Sequence, residues 1–181
     1  MRILVEDTLA IVIDYQEKLV PVMHEKEQLI QNTEKLIKGL NILKVPMIVT
    51  QQYTKGIGMT VEELRNAFDT EFLYHDKITF SCYEEEEIAT LIKKYNKKNI
   101  ILCGIEAHIC VLQTVIDCIA EQYNVILVED CISSRRENDK KIAVARAVKE
   151  GAFITTYESI LFELTRKAGN DIFKSISRLI K

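Results

Sequence analysis

Short apolar runs alternating with helix-length amphipathic stretches constrain this chain more than any other feature. The runs at 9–14, 45–50, 100–103, 124–129 and 152–155 are rich in Val and Ile and too short for helices, so they read as buried strands. Between them the apolar residues recur every three or four positions. Leu29, Leu36, Ile37, Leu40 and Leu43 give a long helix over 26–43. Helices are likewise expected over 84–95, from about Ala107 onward, over 138–150 and 159–166, and in the tail at 171–180. Residues 51–58 read as a loop, and 77–80 as a brief strand or an extended loop. Thr60 and Glu63 resemble a capping box opening a short helix to about Phe68.

Strand–helix alternation at this spacing implies βαβ units. The expected fold class is α/β: a three-layer, doubly wound, mainly parallel six-stranded sheet with helices on both faces. The 181 residues, 48% of them hydrophobic and 28% charged, fit a single domain spanning 1–181. A formal charge of −3 gives no basic footprint, so nucleic acid is not an expected partner. No apolar run approaches the length of a membrane span, and no signal peptide is visible, so neither a membrane nor secretion is expected. The five cysteines, at 82, 103, 110, 118 and 131, contain no C-x-x-C pair. Free thiols in a reducing cytoplasm are expected, not a disulfide framework.

In open parallel sheets ligands bind beyond the carboxyl ends of the strands. Three groups fall at such ends: Asp14, the turn from Gly104 to Cys110, and the corner at Glu129 and Asp130. Asp14 closes a run with no polar residue in it. It could be a partly desolvated acid or a simple cap. Cys110 falls in the first turn of a helix, where free backbone N–H groups and the helix dipole favour the thiolate. The plain alternative is an inert core cysteine. Lys77 lies among apolar residues and could be a solvated loop lysine. Together, Asp, Lys and Cys could form an acyl-transfer site in which the acid takes the thiol proton and the thiolate attacks a carbonyl. Cys103 and Cys118 are expected in the core. Cys82 and Cys131 are expected near loops and accessible. The helix after Cys110 is apolar nearly all round, which suggests a second copy covering its outer face.

Other chemistries lack their signatures. The chain has no G-x-G-x-x-G, no Walker-A loop and no G-x-S-x-G elbow, and His24, His75 and His108 are scattered.

The segments Ile11–Val12–Ile13–Asp14–Tyr15–Gln16, Lys77, Gly104 through Cys110 and Val128 through Ser134 resemble, in order, the isochorismatase-like cysteine hydrolases. The likeness covers nearly the whole chain and is nearest to the branch of isochorismatase domain-containing proteins. It implies a general base at Asp14, a catalytic lysine at Lys77 and a nucleophile at Cys110. It also implies a cis peptide at Ile105–Glu106 and an oxyanion hole from the N–H groups of Glu106 and Cys110. Gln16, Gln52 and Tyr53 fall at substrate-binding positions. The resemblance adds a homo-oligomer, a dimer or higher.

One place departs from the pattern. Nicotinamidases carry an Asp-x-His metal site after the second strand, where this chain reads Gln51–Gln52–Tyr53. The expectation is therefore a hydrolase of a small-molecule amide or related C–N bond, with no metal or other cofactor. A non-catalytic scaffold on the same fold, a vinyl ether hydrolase and a phosphoacceptor signalling domain are the alternatives. The last needs a second Asp and a late Lys that the sequence does not place.

Overall fold

The computed structural model describes residues 2–181. At its centre is a six-stranded sheet in the order β3–β2–β1–β4–β5–β6, with every neighbouring pair parallel. The strands are β1 (Thr8–Ile13), β2 (Met47–Gln52), β3 (His75–Lys77), β4 (Asn99–Ile105), β5 (Asn124–Ser133) and β6 (Phe153–Thr155). The helices are α1 (Lys26–Leu43), α2 (Thr54–Ile57), α3 (Glu62–Arg65), α4 (Glu86–Tyr95), α5 (Leu112–Ala120), α6 (Glu137–Glu150), α7 (Tyr157–Thr165) and α8 (Asp171–Ile180). This is the doubly wound α/β architecture that the alternating pattern implies.

Strand side chains alternate between two cores, as the two-residue period of a pleated strand requires. Ala10, Val12, Val49, Ile101, Ile126 and Val128 face α1, α7 and α8. Leu9, Ile11, Ile13, Ile48, Ile100, Leu102, Val125 and Leu127 face α4, α5 and α6. Both faces are covered, which explains why the strands read as continuous apolar runs. The chain builds outward through β1, β2 and β3, then returns to place β4 on the other side of β1. That reversal makes β1 and β4 the switch point of the sheet, and the crevice beyond their carboxyl ends is the natural ligand position.

Several local expectations need correction. The strand at 77–80 ends at Lys77, because the carbonyls of Thr79 and Phe80 turn back to serve the lysine instead of a neighbouring strand. Residues 51–58 are not all loop: β2 runs through Gln52, and α2 makes one helical turn. No capping box forms at Thr60, since α3 starts after Val61 with no side-chain cap. The Thr60 hydroxyl instead accepts from Gln51 Nε2 at 3.0 Å. Within the chain α5 packs against α6.

Gly104 is required where β4 passes β1. Its φ is +149°, and a Cβ there would lie 2.5 Å from both the carbonyl oxygen and the Cβ of Ile13. Backbone cannot yield as a flexible side chain can. Gly104→Ala is expected to destabilise the protein by about 2–5 kcal/mol, combining backbone strain and overpacking. Urea unfolding midpoints of the variant and wild type measure this, and equal midpoints would refute the close-approach argument.

Candidate active site

Asp14 is the first residue beyond β1. Its backbone adopts a left-handed conformation, φ 57°, which Asp tolerates better than most side chains. Its N–H donates to the Thr50 carbonyl at 3.2 Å, which fixes it across from the end of β2. The side chain is wholly buried. Thr50 Oγ1 donates to Oδ1 at 2.8 Å, and Lys77 Nζ lies 2.8 Å from Oδ2.

Lys77 is the last residue of β3 and its side chain is also wholly buried. An ammonium has three N–H donors. Here they go to Gln52 Oε1 at 2.6 Å, the Thr79 carbonyl at 3.1 Å and the Phe80 carbonyl at 3.1 Å. Asp14 Oδ2 therefore feels the full lysine charge at close range yet receives no hydrogen bond. Burial works against the charged lysine. The attraction of Asp14, with smaller contributions from Cys82 and Cys110, outweighs it and holds Lys77 above its ordinary range.

Cys110 sits in a wide π-type turn, Ala107–Val111, that leads directly into α5. It is 6% exposed. Burial first, then Asp14, pushes the thiol up, while Lys77 pulls the other way.

The Ile105–Glu106 peptide is cis. Among the described residues nothing accepts a hydrogen bond from the Glu106 N–H. The Glu106 carboxylate is anchored away from the thiol by Arg135, which donates from its backbone N at 3.2 Å and its Nε at 3.1 Å. His108 Nδ1 meets Ser134 Oγ at 2.9 Å, a second tie between this turn and the end of β5.

The other singled-out side chains are placed as follows. Gln16 is buried, with Nε2 donating to the carbonyls of Gln52 at 3.0 Å and Gly58 at 2.7 Å, and Oε1 accepting from Gln52 N at 2.7 Å. Its hydrogen bonds are spent joining the loops after β1 and β2. Gln52 accepts from Lys77 and donates to the Ile78 carbonyl at 2.8 Å. Tyr53 is 50% exposed, with its ring packed against Gly56.

Cys82 and Cys131 are not accessible: all five thiols are free and buried. Cys131 lies within β5, and Cys82, in the segment before α4, turns its side chain into the core. Among the described residues no three His, Cys, Asp or Glu side chains cluster closely enough to hold a metal ion. The sequence reading missed Thr50, Gln52 as the partner of Lys77, and Cys82 as a neighbour of the acid. The one signal for Thr50 was a polar residue ending an otherwise apolar run.

A family model described as the isochorismatase domain matches residues 8–159. A protein of Phytophthora sojae, described as the secreted isochorismatase effector Isc1, is 36% identical over 183 residues, covering 99% of this chain and 87% of that one. Among solved structures, one described as the MAR1 ribonuclease of Caenorhabditis elegans superposes with a TM-score of 0.93 at 34% identity, over 99% of this chain and 92% of that one. The Escherichia coli YcaC gene product, described as an octameric hydrolase of unknown specificity, gives 0.92 at 24% identity, over 99% and 89% of the two chains.

The buried thiols set a pH limit on the fold. Burial pushes Cys82 up to about 11 and Cys103 up to about 12 from an ordinary 9.0, and Cys110, Cys118 and Cys131 move the same way. Each binds its proton more tightly folded than unfolded, so this contribution is intact below the ordinary value. It is lost as pH climbs through the folded values. Melting temperature is therefore expected to fall steadily between about pH 9 and 11, the window set by these thiols. A flat profile across that window, measured by circular dichroism, would contradict the burial of the thiols.

Proposed function

The chain belongs to the isochorismatase domain family, and from that premise we propose that it is a cysteine-dependent hydrolase of a small-molecule amide or related C–N bond. The observation that carries this reading is Asp14 Oδ2. It is a buried carboxylate oxygen with no hydrogen bond of its own, held beside a lysine charge, on a side chain whose charge acts on the buried Cys110 thiol.

Asp14 Oδ2 takes the proton from Cys110 as Sγ attacks the substrate carbonyl carbon. Charge developing on the carbonyl oxygen is received by the N–H groups of Glu106 and Cys110. The C–N bond breaks, Asp14 returns the proton to the departing nitrogen, and a thioester remains on Cys110. Water then attacks the thioester, Asp14 takes its proton, the acid leaves, and the thiol is restored. Lys77 remains charged throughout and stays paired with Asp14. Holding the thiol protonated until substrate arrives suits this cycle, because the proton has one designated acceptor.

We read residues 1–181 as one catalytic domain acting without a metal, since the place after β2 offers Gln51, Gln52 and Tyr53. Free thiols suit a reducing compartment, and no helix among the described residues is long and apolar enough to cross a membrane. The exposed Leu73, Ile78 and Phe80 give a homo-oligomer a surface to bury. Cleavage of RNA is less well served: the site's cation is buried and fully hydrogen-bonded, and the formal charge is −3.

Turnover of a panel of small amides and ureides tests the proposal. Cys110→Ala is expected to lower it by at least about a thousandfold, with folding intact. Iodoacetamide should label Cys110 before any other thiol, and Asp14→Asn should slow that labelling. Equal labelling of Cys82 and Cys110, or an unchanged rate in Asp14→Asn, would favour a scaffold. RNA cleavage lost in Cys110→Ala would redirect the substrate class.

A further inference from the structure

Behind Asp14 and Cys110 lies a hydrogen-bonded chain that the chemistry above does not use. Thr50 and Cys82 are both wholly buried. Thr50 Oγ1 donates to Asp14 Oδ1 at 2.8 Å and lies 3.7 Å from Cys82 Sγ. An ionised carboxylate only accepts, so the threonine hydrogen is committed to Asp14, and the second contact has the Cys82 S–H donating to Thr50 Oγ1. From the other end, the Cys82 N–H donates to Thr114 Oγ1 at 3.0 Å, and Thr114 Oγ1 donates to the Cys110 carbonyl at 2.7 Å. The path leads from the acid, through Thr50, Cys82 and Thr114, to the backbone of the nucleophile.

We infer that Thr50 is a positioning residue for the reaction, acting through Asp14, with Cys82 and Thr114 continuing a chain from the base to the backbone of the nucleophile. This rests on Asp14 being the base proposed above. A carboxylate can rotate, and Thr50 pins it by its hydrogen bond to Oδ1, while Oδ2 carries none. Cys82 serves the chain only as a thiol. Burial and the neighbouring Asp14 push it up to about 11, so its S–H persists at neutral pH and it does not compete as a nucleophile. The chain also ties the end of β2, the loop before α4 and the first turn of α5 to one another.

Asp14 is faced by Lys77 from β3, by Cys110 from the turn after β4 and by Cys82 from the loop before α4. Losing the Thr50 donor removes the hydrogen bond that Asp14 Oδ1 receives and frees the carboxylate to turn. The test is iodoacetamide labelling of Cys110 in the full chain from about pH 5 to 9, mapped by mass spectrometry. Thr50→Val, which keeps the shape and removes the hydroxyl, is expected to slow labelling about tenfold at neutral pH. Thr50→Ser should restore the rate, which a purely structural contribution of the threonine methyl would not allow. Cys82→Ala should slow labelling in the same direction by a smaller factor.

A wild-type profile in Thr50→Val, or no restoration in a folded Thr50→Ser, overturns the inference. Should Thr50→Val fold poorly, Cys82→Ala decides: it leaves Thr50 in place and removes its donor, so a profile identical to wild type overturns the chain. Asp14→Asn separates the two levels. If it slows labelling while Thr50→Val does not, only the positioning role fails. If Asp14→Asn changes nothing, the base assignment fails and this inference falls with it.

Discussion

The buried pair of Asp14 and Lys77 is the constraint around which the carboxyl end of the sheet is built. Neither side chain reaches solvent, and their charged atoms lie 2.8 Å apart. Two charges taken out of water are tolerated only when the remaining hydrogen-bonding capacity is met. For the lysine, this requirement shapes two loops. Residues 78–80 fold back so that two carbonyls reach Nζ, and Gln52 turns its amide oxygen to the third N–H. The backbone of Gln52 is in turn gripped by Gln16, which also holds Gly58. A single ion pair thus organises the chain after β1, after β2 and after β3. The one atom it leaves without a hydrogen bond is the carboxylate oxygen beside the thiol.

Two opposing effects act on Cys110, and their balance decides how the site rests. The first turn of a helix and a nearby lysine favour the thiolate; burial and an adjacent carboxylate favour the thiol. Cys110 is only 6% exposed, and burial first, then Asp14, pushes its thiol up against the pull of Lys77. In the proposed cycle the thiol gives up its proton only when a carbonyl carbon is there to receive the electron pair. The other four thiols share the burial but lack an unpartnered acceptor.

The architecture was legible in the sequence because burial on both faces makes a parallel strand a continuous apolar run, and its crossover helix amphipathic. Asp14 was legible as a candidate because it closes an apolar run where a strand should end, Cys110 because it falls in the first turn of the helix after the next such strand, and Lys77 through its apolar neighbours and the resemblance. Contacts across the sheet were not. Nothing local to Thr50 says that its hydroxyl meets a carboxylate 36 residues away. Nothing at Cys82, flanked by polar residues, says that its side chain turns inward. Thr60 failed the other way. Its spacing to Glu63 suggested a helix cap, but tertiary pairing with Gln16 and Gln51 claimed it first.

The turn from 106 to 110 is held from β5. Pairing between β4 and β5 shifts register between Leu102 and Gly104, so that β5 contributes extra residues opposite a short piece of β4. A bulge of this kind bends a strand and re-aims the side chains beyond it. The displaced residues are put to use: the carbonyl of Cys131 accepts from the Tyr15 hydroxyl, and Asp130 accepts from the N–H of Tyr157 at 2.8 Å. Past the bulge, Ser134 and Arg135 reach back to His108 and Glu106. The turn from 106 to 110 is therefore fixed from the β5 side by side chains and from the β1 side by the close approach at Gly104. With both walls held, the free N–H of Glu106 and the thiol of Cys110 keep their relation without any contact between their own side chains. The Glu106 carboxylate, drawn aside by Arg135, stays clear of the position where negative charge would develop.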